Sequence, residues 1–104
     1  MARWIKVLHS DDPTPIPQIP FVVRAAGKEL LLMKTLKGEW KSWEPQCPHQ
    51  KASLMGVRPD EAGCIVCPLH RYRFCLEDGY ETQGRGRLYL FPIREVEHEV
   101  FVFL

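Results

Sequence analysis

Residues 47–70 read CPHQKASLMGVRPDEAGCIVCPLH. The stretch opens on Cys47-Pro48-His49 and closes on Cys67-Pro68-Leu69-His70, with residues 50–66 between the pairs. Buried cysteines and surface histidines would explain any one of these residues. They do not explain the set, which needs two separate coincidences of Cys-Pro with a nearby His. A single zinc ion is the next reading, since Cys64 and Cys67 have the two-residue gap of a zinc knuckle. A second such pair is missing, however, and Cys47 and His49 are too close to converge easily on one tetrahedral ion. Their spacing suits neighbouring ligands on two different metals.

The rest of the chain limits what such a site can serve. With 104 residues there is room for one domain and one core, so residues 1–104 are expected to form a single unit. A domain of this size gains only marginally from burial, and a cofactor would help to order it. A net charge of +1 gives no reason to expect nucleic acid or an anionic membrane as partner. No apolar run is long enough to span a bilayer. MARWIKVLHSDD reaches Asp11 and Asp12 before a signal-like apolar core can form, so the expectation is a soluble, cytoplasmic protein, a monomer. In that setting four cysteines favour metal binding over disulfides.

Short apolar runs set the fold class. FVVRA, ELLLMKTL and EWKSW are separated by Gly-Lys and Lys-Gly turns; CIVC is brief; LYLFPI and EVFVFL come last, divided by the polar REVEHE. The runs mix β-branched and aromatic residues, and none keeps helical spacing over three turns, which predicts an all-β domain. ELLLMKTL has helical propensity, but its length and flanking turns favour a strand. Poor alternation in FVFL predicts a strand buried on both faces. DDPTPIPQIP, with four prolines, predicts an extended loop. From Cys47 to about Gly86 strand signal is weak and Gly, Pro, Cys and His are frequent, as in an insertion ordered by something other than a core.

The pattern Cys47-x-His49 and Cys67-x-x-His70 resembles the Rieske 2Fe–2S family. The resemblance continues in Gly63 and in RYRF-CLEDG, which is similar to that family's His-Gly-Trp-x-Phe-Asp-Leu…Gly run, and it spans most of the chain. It implies an antiparallel β-sandwich with a loop-rich, cluster-binding subdomain at roughly 46–86. It further implies that Cys47 and Cys67 hold the inner iron as thiolates, and that His49 and His70 hold the outer iron and form the electron exit. The function implied is one-electron transfer by a soluble ferredoxin, with a flavin reductase as donor and an oxygenase as acceptor. Catalysis by the chain itself is not expected: an oxygenase needs a second iron held by two histidines and a carboxylate, and only His9 and His98 remain, at the two ends.

High-potential members of the family resemble His-Gly-Ser-x-Tyr after the second motif, with hydroxyls that donate to cluster sulfurs. Tyr72 and Phe74 stand in those places here, which implies the low end of the Rieske range, around −150 mV. Leu69 occupies a position where the respiratory branch has a disulfide cysteine. Cys64 and Cys75 lie outside those positions and read as buried small hydrophobes, with redox-active thiols the weaker alternative. Arg71 stands where the family has Gly or Ser, a costly choice if φ is positive there. TQGRGRL replaces the family's proline-containing loop over the cluster. Arg71, Arg73, Arg85 and Arg87 read as a solvated basic face or as a docking patch for an acidic partner. Two other classes stay open: a nitrite-reductase small subunit, which resembles this fold but usually lacks the ligands, and a zinc-binding interaction module.

Overall fold

The computed structural model describes residues 2–9, 16–49 and 51–104. Its regular structure is all strand: β1 (Trp4–His9), β2 (Phe21–Ala25), β3 (Lys28–Lys34), β4 (Trp40–Trp43), β5 (Cys64–Val66), β6 (Arg73–Cys75), β7 (Ile93–Val96) and β8 (Glu99–Phe103). Among the described residues no helix is long and apolar enough to cross a membrane. Pairing is antiparallel throughout, in three sheets ordered β1-β8-β7, β2-β3-β4 and β5-β6. The all-β expectation holds.

The middle sheet explains the architecture. Successive side chains of a strand point to opposite faces, and Leu30 to Met33 of β3 are all buried. Leu30 and Leu32 join Ala25, Trp40, Phe91, Val100 and Val102 in a core against the β1-β8-β7 sheet. Leu31 and Met33 face the other way and join Trp43, Cys47, Leu54, Ile65, Cys67, Phe74, Leu76 and Leu88. One strand therefore supports two cores, and the second core is the floor under both Cys-Pro motifs. The strand buried on both faces is β3, not β8, whose pattern alternates about buried Val100 and Val102.

Two hairpins close on two-residue turns with both residues at positive φ, the geometry that matches strand twist. Ala26 and Gly27 (φ 51° and 77°) join β2 to β3, and Glu97 and His98 (φ 51° and 67°) join β7 to β8. The second turn falls inside the stretch read as polar spacer: β7 runs through Arg94 and Glu95 because it is a largely exposed edge strand. LYLFPI contributes only an isolated bridge, Leu90 to Trp43, before β7 begins at Ile93. Strands β1 and β6 lie outside the apolar runs from which the sequence predicts strands. Of DDPTPIPQIP, residues 11–15 lie outside the described residues; beyond them Gln18 turns at φ 69° and its N–H donates to the Lys34 carbonyl at 2.8 Å.

Candidate metal centre

The β5-β6 hairpin lies between β4 and β7 in the chain and is pinned at its base by Asp60. One carboxylate oxygen accepts the N–H groups of Ala62 and Cys64, each at 3.0 Å. The other takes Arg73 Nε from β6 at 2.7 Å. The Arg73 hydrogen bond, then that from Cys64, hold the Asp60 carboxyl below the usual carboxylate range.

Each Cys-Pro motif folds into the same turn. Cys47 donates its N–H to the Ala52 carbonyl (2.8 Å) and accepts from the Lys51 N–H (2.7 Å). Cys67 donates to the Tyr72 carbonyl (2.8 Å) and accepts from the Arg71 N–H (2.9 Å). Pro48 and Pro68 follow the cysteines, where a fixed φ near −65° starts a turn. Lys51 and Arg71 close the turns at φ 57° and 60°. Arg71 thus sits in the left-handed conformation that the residue's identity makes costly.

This repeated turn sorts the four residues by depth. Cys47 and Cys67 are 1% and 2% exposed and share one core cluster. His49 and His70 are exposed, with ring centroids 5.7 Å apart. Two thiols therefore lie below two imidazoles, and a donor set of that composition suits a dinuclear iron–sulfur group. Among the described residues, no three His, Cys, Asp or Glu side chains gather at one point; two metals with two protein ligands each do not require that. In the same buried cluster, the indole N–H of Trp43 has no hydrogen-bond partner among the described residues. A buried donor of that kind suits anionic sulfur.

Around the histidines lies a set of contacts that motif reading missed. The Tyr72 ring lies 4.2 Å from the His49 ring, tilted by 33°. The Arg85 guanidinium sits 3.8 Å over the Tyr72 ring. Arg85 is gripped by Glu81, Nε to Oε1 at 3.0 Å and Nη2 to Oε2 at 2.9 Å. The Glu81 side chain is fully buried and also accepts the N–H groups of Gln83 and Arg85. These bonds, the Arg85 side chain first, hold its carboxyl down at about 2 against the opposing effect of burial. Tyr72 stands where the sequence implies a lost sulfur donor; in the structure its ring is engaged in stacking.

Cys64 and Cys75 correct the reading of isolated hydrophobes or thiols: they form a disulfide. They are direct cross-strand partners. The neighbouring Leu76 N–H bonds to the Gly63 carbonyl, which leaves 64/75 as the close, non-hydrogen-bonded pair. The signal was available only once RFC was read as a strand paired with CIV. The four arginines also differ from one another. Arg73 is bound to Asp60 and Arg85 to Glu81, while Arg87 lies over Tyr80 and donates to the Asp78 carbonyl. Arg71 is exposed beside His70.

A family model described as Rieske [2Fe-2S] domain matches residues 3–87. Pheophorbide a oxygenase of Oryza sativa subsp. japonica is 36% identical over 73 residues, 69% of this chain and 13% of that protein. The ferredoxin component of the alkene monooxygenase system of Xanthobacter autotrophicus is 35% identical over 51 residues, 49% of this chain and 41% of that protein. The chain spans 41% or less of the length of the curated relatives it matches. Two solved structures share the fold. The ferredoxin of carbazole 1,9a-dioxygenase from Nocardioides aromaticivorans has a TM-score of 0.77 at 22% identity, covering 95% of both chains. A chain assigned as an NADH-dependent nitrite reductase small subunit from Mycobacterium tuberculosis has a TM-score of 0.82 at 19% identity, covering 100% of this chain and 96% of that one.

Proposed function

The chain belongs to the Rieske [2Fe-2S] domain family, and from that premise we propose that it is a one-electron carrier: a low-potential Rieske-type ferredoxin that takes electrons from a flavin reductase and passes them to an oxygenase. Its cofactor is a Rieske-type 2Fe–2S cluster. The ligands in this reading are Cys47 and Cys67 on the inner iron and His49 and His70 on the outer one. Such a cluster supplies a one-electron couple less negative in charge than an all-cysteine cluster. The chain's own part is to keep the thiol ligands in the dry core, hold the imidazoles at the surface and fix both by matched turns.

The observation that carries the proposal is that depth sorting. In this reading the two exposed imidazoles, 5.7 Å apart, are the electron exit, within reach of a partner protein without a substrate pocket. The named relatives include a ferredoxin component of an oxygenase system, which favours the same role. Shared fold with a nitrite reductase small subunit favours a structural role as the second reading; the complete set of four ligand-type residues separates the two.

Anaerobic purification with iron, sulfide and zinc analysis tests the proposal. Two irons and two labile sulfides per chain in a reddish-brown protein are expected. NADH with a flavin-dependent ferredoxin reductase should then bleach the visible spectrum. One zinc and no sulfide, even after reconstitution, would leave the zinc module; a loaded cluster that the reductase fails to bleach would remove the donor from the scheme.

A further inference from the structure

Arg85 lies ten residues past the end of β6 at Cys75, yet the loop that carries it returns to the hairpin. Glu81 bridges to Phe74 of β6. Thr82 donates its N–H to the Arg73 carbonyl at 2.9 Å, and Glu81 donates to the Gly86 carbonyl at 2.9 Å. The buried Glu81 carboxylate then takes the guanidinium in two hydrogen bonds and the Arg85 N–H in a third. Such a fork-to-fork pair fixes the plane of the guanidinium as well as its place. An arginine held in this way is not a mobile surface charge.

The fixed guanidinium rests 3.8 Å over Tyr72, and the Tyr72 ring rests 4.2 Å from the His49 ring. The same Tyr72 supplies the carbonyl that closes the Cys67 turn. Its backbone therefore belongs to one motif, while its side chain touches the histidine of the other. We propose that Arg85, clamped by Glu81 and stacked on Tyr72, is a positioning residue that fixes the His49 ring and raises the reduction potential of the cluster by presenting positive charge behind it.

The sign follows from charge. The electron adds negative charge at the iron that His49 would hold, and a fixed positive group nearby favours the reduced state. Glu81 opposes this. It lies beyond the guanidinium in the order Glu81, Arg85, Tyr72, His49, so the positive end of the pair is the one turned toward the ring. Partial cancellation and solvent keep the effect modest. The inference rests on the proposed ligation of the cluster by His49.

The test is the midpoint potential of the loaded protein at constant pH near neutrality, with the EPR spectrum of the reduced form as the check that the cluster is intact. Arg85→Gln should disfavour reduction three- to tenfold, about 30–60 mV at 59 mV per tenfold for one electron. Tyr72→Leu, which removes the platform, should shift the potential in the same direction. The double variant should shift no further than Arg85→Gln alone, because both changes break one contact chain. Arg85→Lys keeps the charge without the planar fork and should recover only part of the shift, which guards against a glutamine variant that loads poorly. An Arg85→Gln potential within twofold of the parent, with the EPR spectrum unchanged, overturns the inference. So does full additivity in the double variant. If the parent chain itself carries no two-iron cluster, the ligation reading fails instead, and the iron and sulfide analysis shows that before any variant is made.

Discussion

Lys51 and Arg71 occupy the same station in two matching turns: each has positive φ, 57° and 60°, and each donates its N–H to the carbonyl of the cysteine four residues earlier. The closing residue must turn left-handed so that the next carbonyl, of Ala52 or Tyr72, can return to the cysteine N–H. Neither side chain favours that conformation. A residue with a Cβ loses roughly 1–2 kcal/mol there, whereas glycine avoids this and gives back about 0.5–1 kcal/mol through its freer unfolded chain. Lys51→Gly and Arg71→Gly should each stabilise the loaded protein by about 0.5 kcal/mol in urea unfolding. A clear loss of stability in Arg71→Gly would mean that its side chain supports the turn in a way the backbone geometry does not convey.

The Cys64–Cys75 disulfide joins directly opposed residues of β5 and β6, three residues before Cys67. Cys64 is 2% exposed, so an attacking thiolate has poor access to it. Denaturing alkylation without reductant should therefore label two cysteines per chain, and four after reduction. The closed loop is short, sequence separation 11, and Cys64→Ala with Cys75→Ala should lose about 2–3 kcal/mol. Four labelled cysteines without reductant would show the pair to be thiols in solution.

What sequence conveyed and what it did not follow from where the information sits. The pairing of the two Cys-Pro motifs was legible because Cys47, His49, Cys67 and His70 are residue types that metal chemistry uses at short spacing, which makes them the proposed ligands. The strands of the β2-β3-β4 sheet were legible because apolar runs and turns are local. β6 was not, since three residues, Arg73–Cys75, gain strand conformation only by pairing with β5; without it the 64–75 disulfide had no visible geometry. β7 was hidden by its exposed edge position, where Arg94 and Glu95 give no apolar signal. The Glu81-Arg85-Tyr72 stack depends on a loop folding back across the hairpin, and no periodicity records such a return.

Gly79 shows a second place where backbone approach decides the residue. Its φ is 84°, and a Cβ there would collide with the Leu88 carbonyl oxygen. Leu88 in turn donates its N–H to the Gly79 carbonyl at 2.7 Å and is fully buried in the core under the cysteines. Backbone on both sides leaves no flexible end to move aside. Gly79→Ala should destabilise the fold by about 2–4 kcal/mol, at the severe end of single substitutions. Gly84 also has positive φ, 78°, but its Cβ would meet open space, so Gly84→Ala should lose only about 1 kcal/mol. Equal effects in urea unfolding would contradict the close approach.

Glu81 makes stability depend on acid in a defined window. Its carboxyl ordinarily titrates at 4.5, and in the fold the Arg85 side chain foremost, then the Arg85 and Gln83 N–H groups, hold it at about 2. A folded-state value below the unfolded one means that the unfolded chain takes up the proton first as pH falls. The stabilisation from Glu81 is therefore fully present above 4.5 and is lost progressively between 4.5 and 2. Glu81→Gln keeps the shape of the side chain and cannot titrate. The stability advantage of the parent over Glu81→Gln should be constant from pH 7 to about 5 and shrink below that. Asp60 and Glu99, whose carboxyls are also held low, by Arg73 and Lys6 foremost, remain in both proteins, so subtracting one curve from the other removes their contribution along with any acid loss of the cluster that the two share. An advantage that stays level down to pH 3 would show that the buried carboxylate gains nothing from its ionised state. Arg85 would then be held by packing on Tyr72 rather than by Glu81.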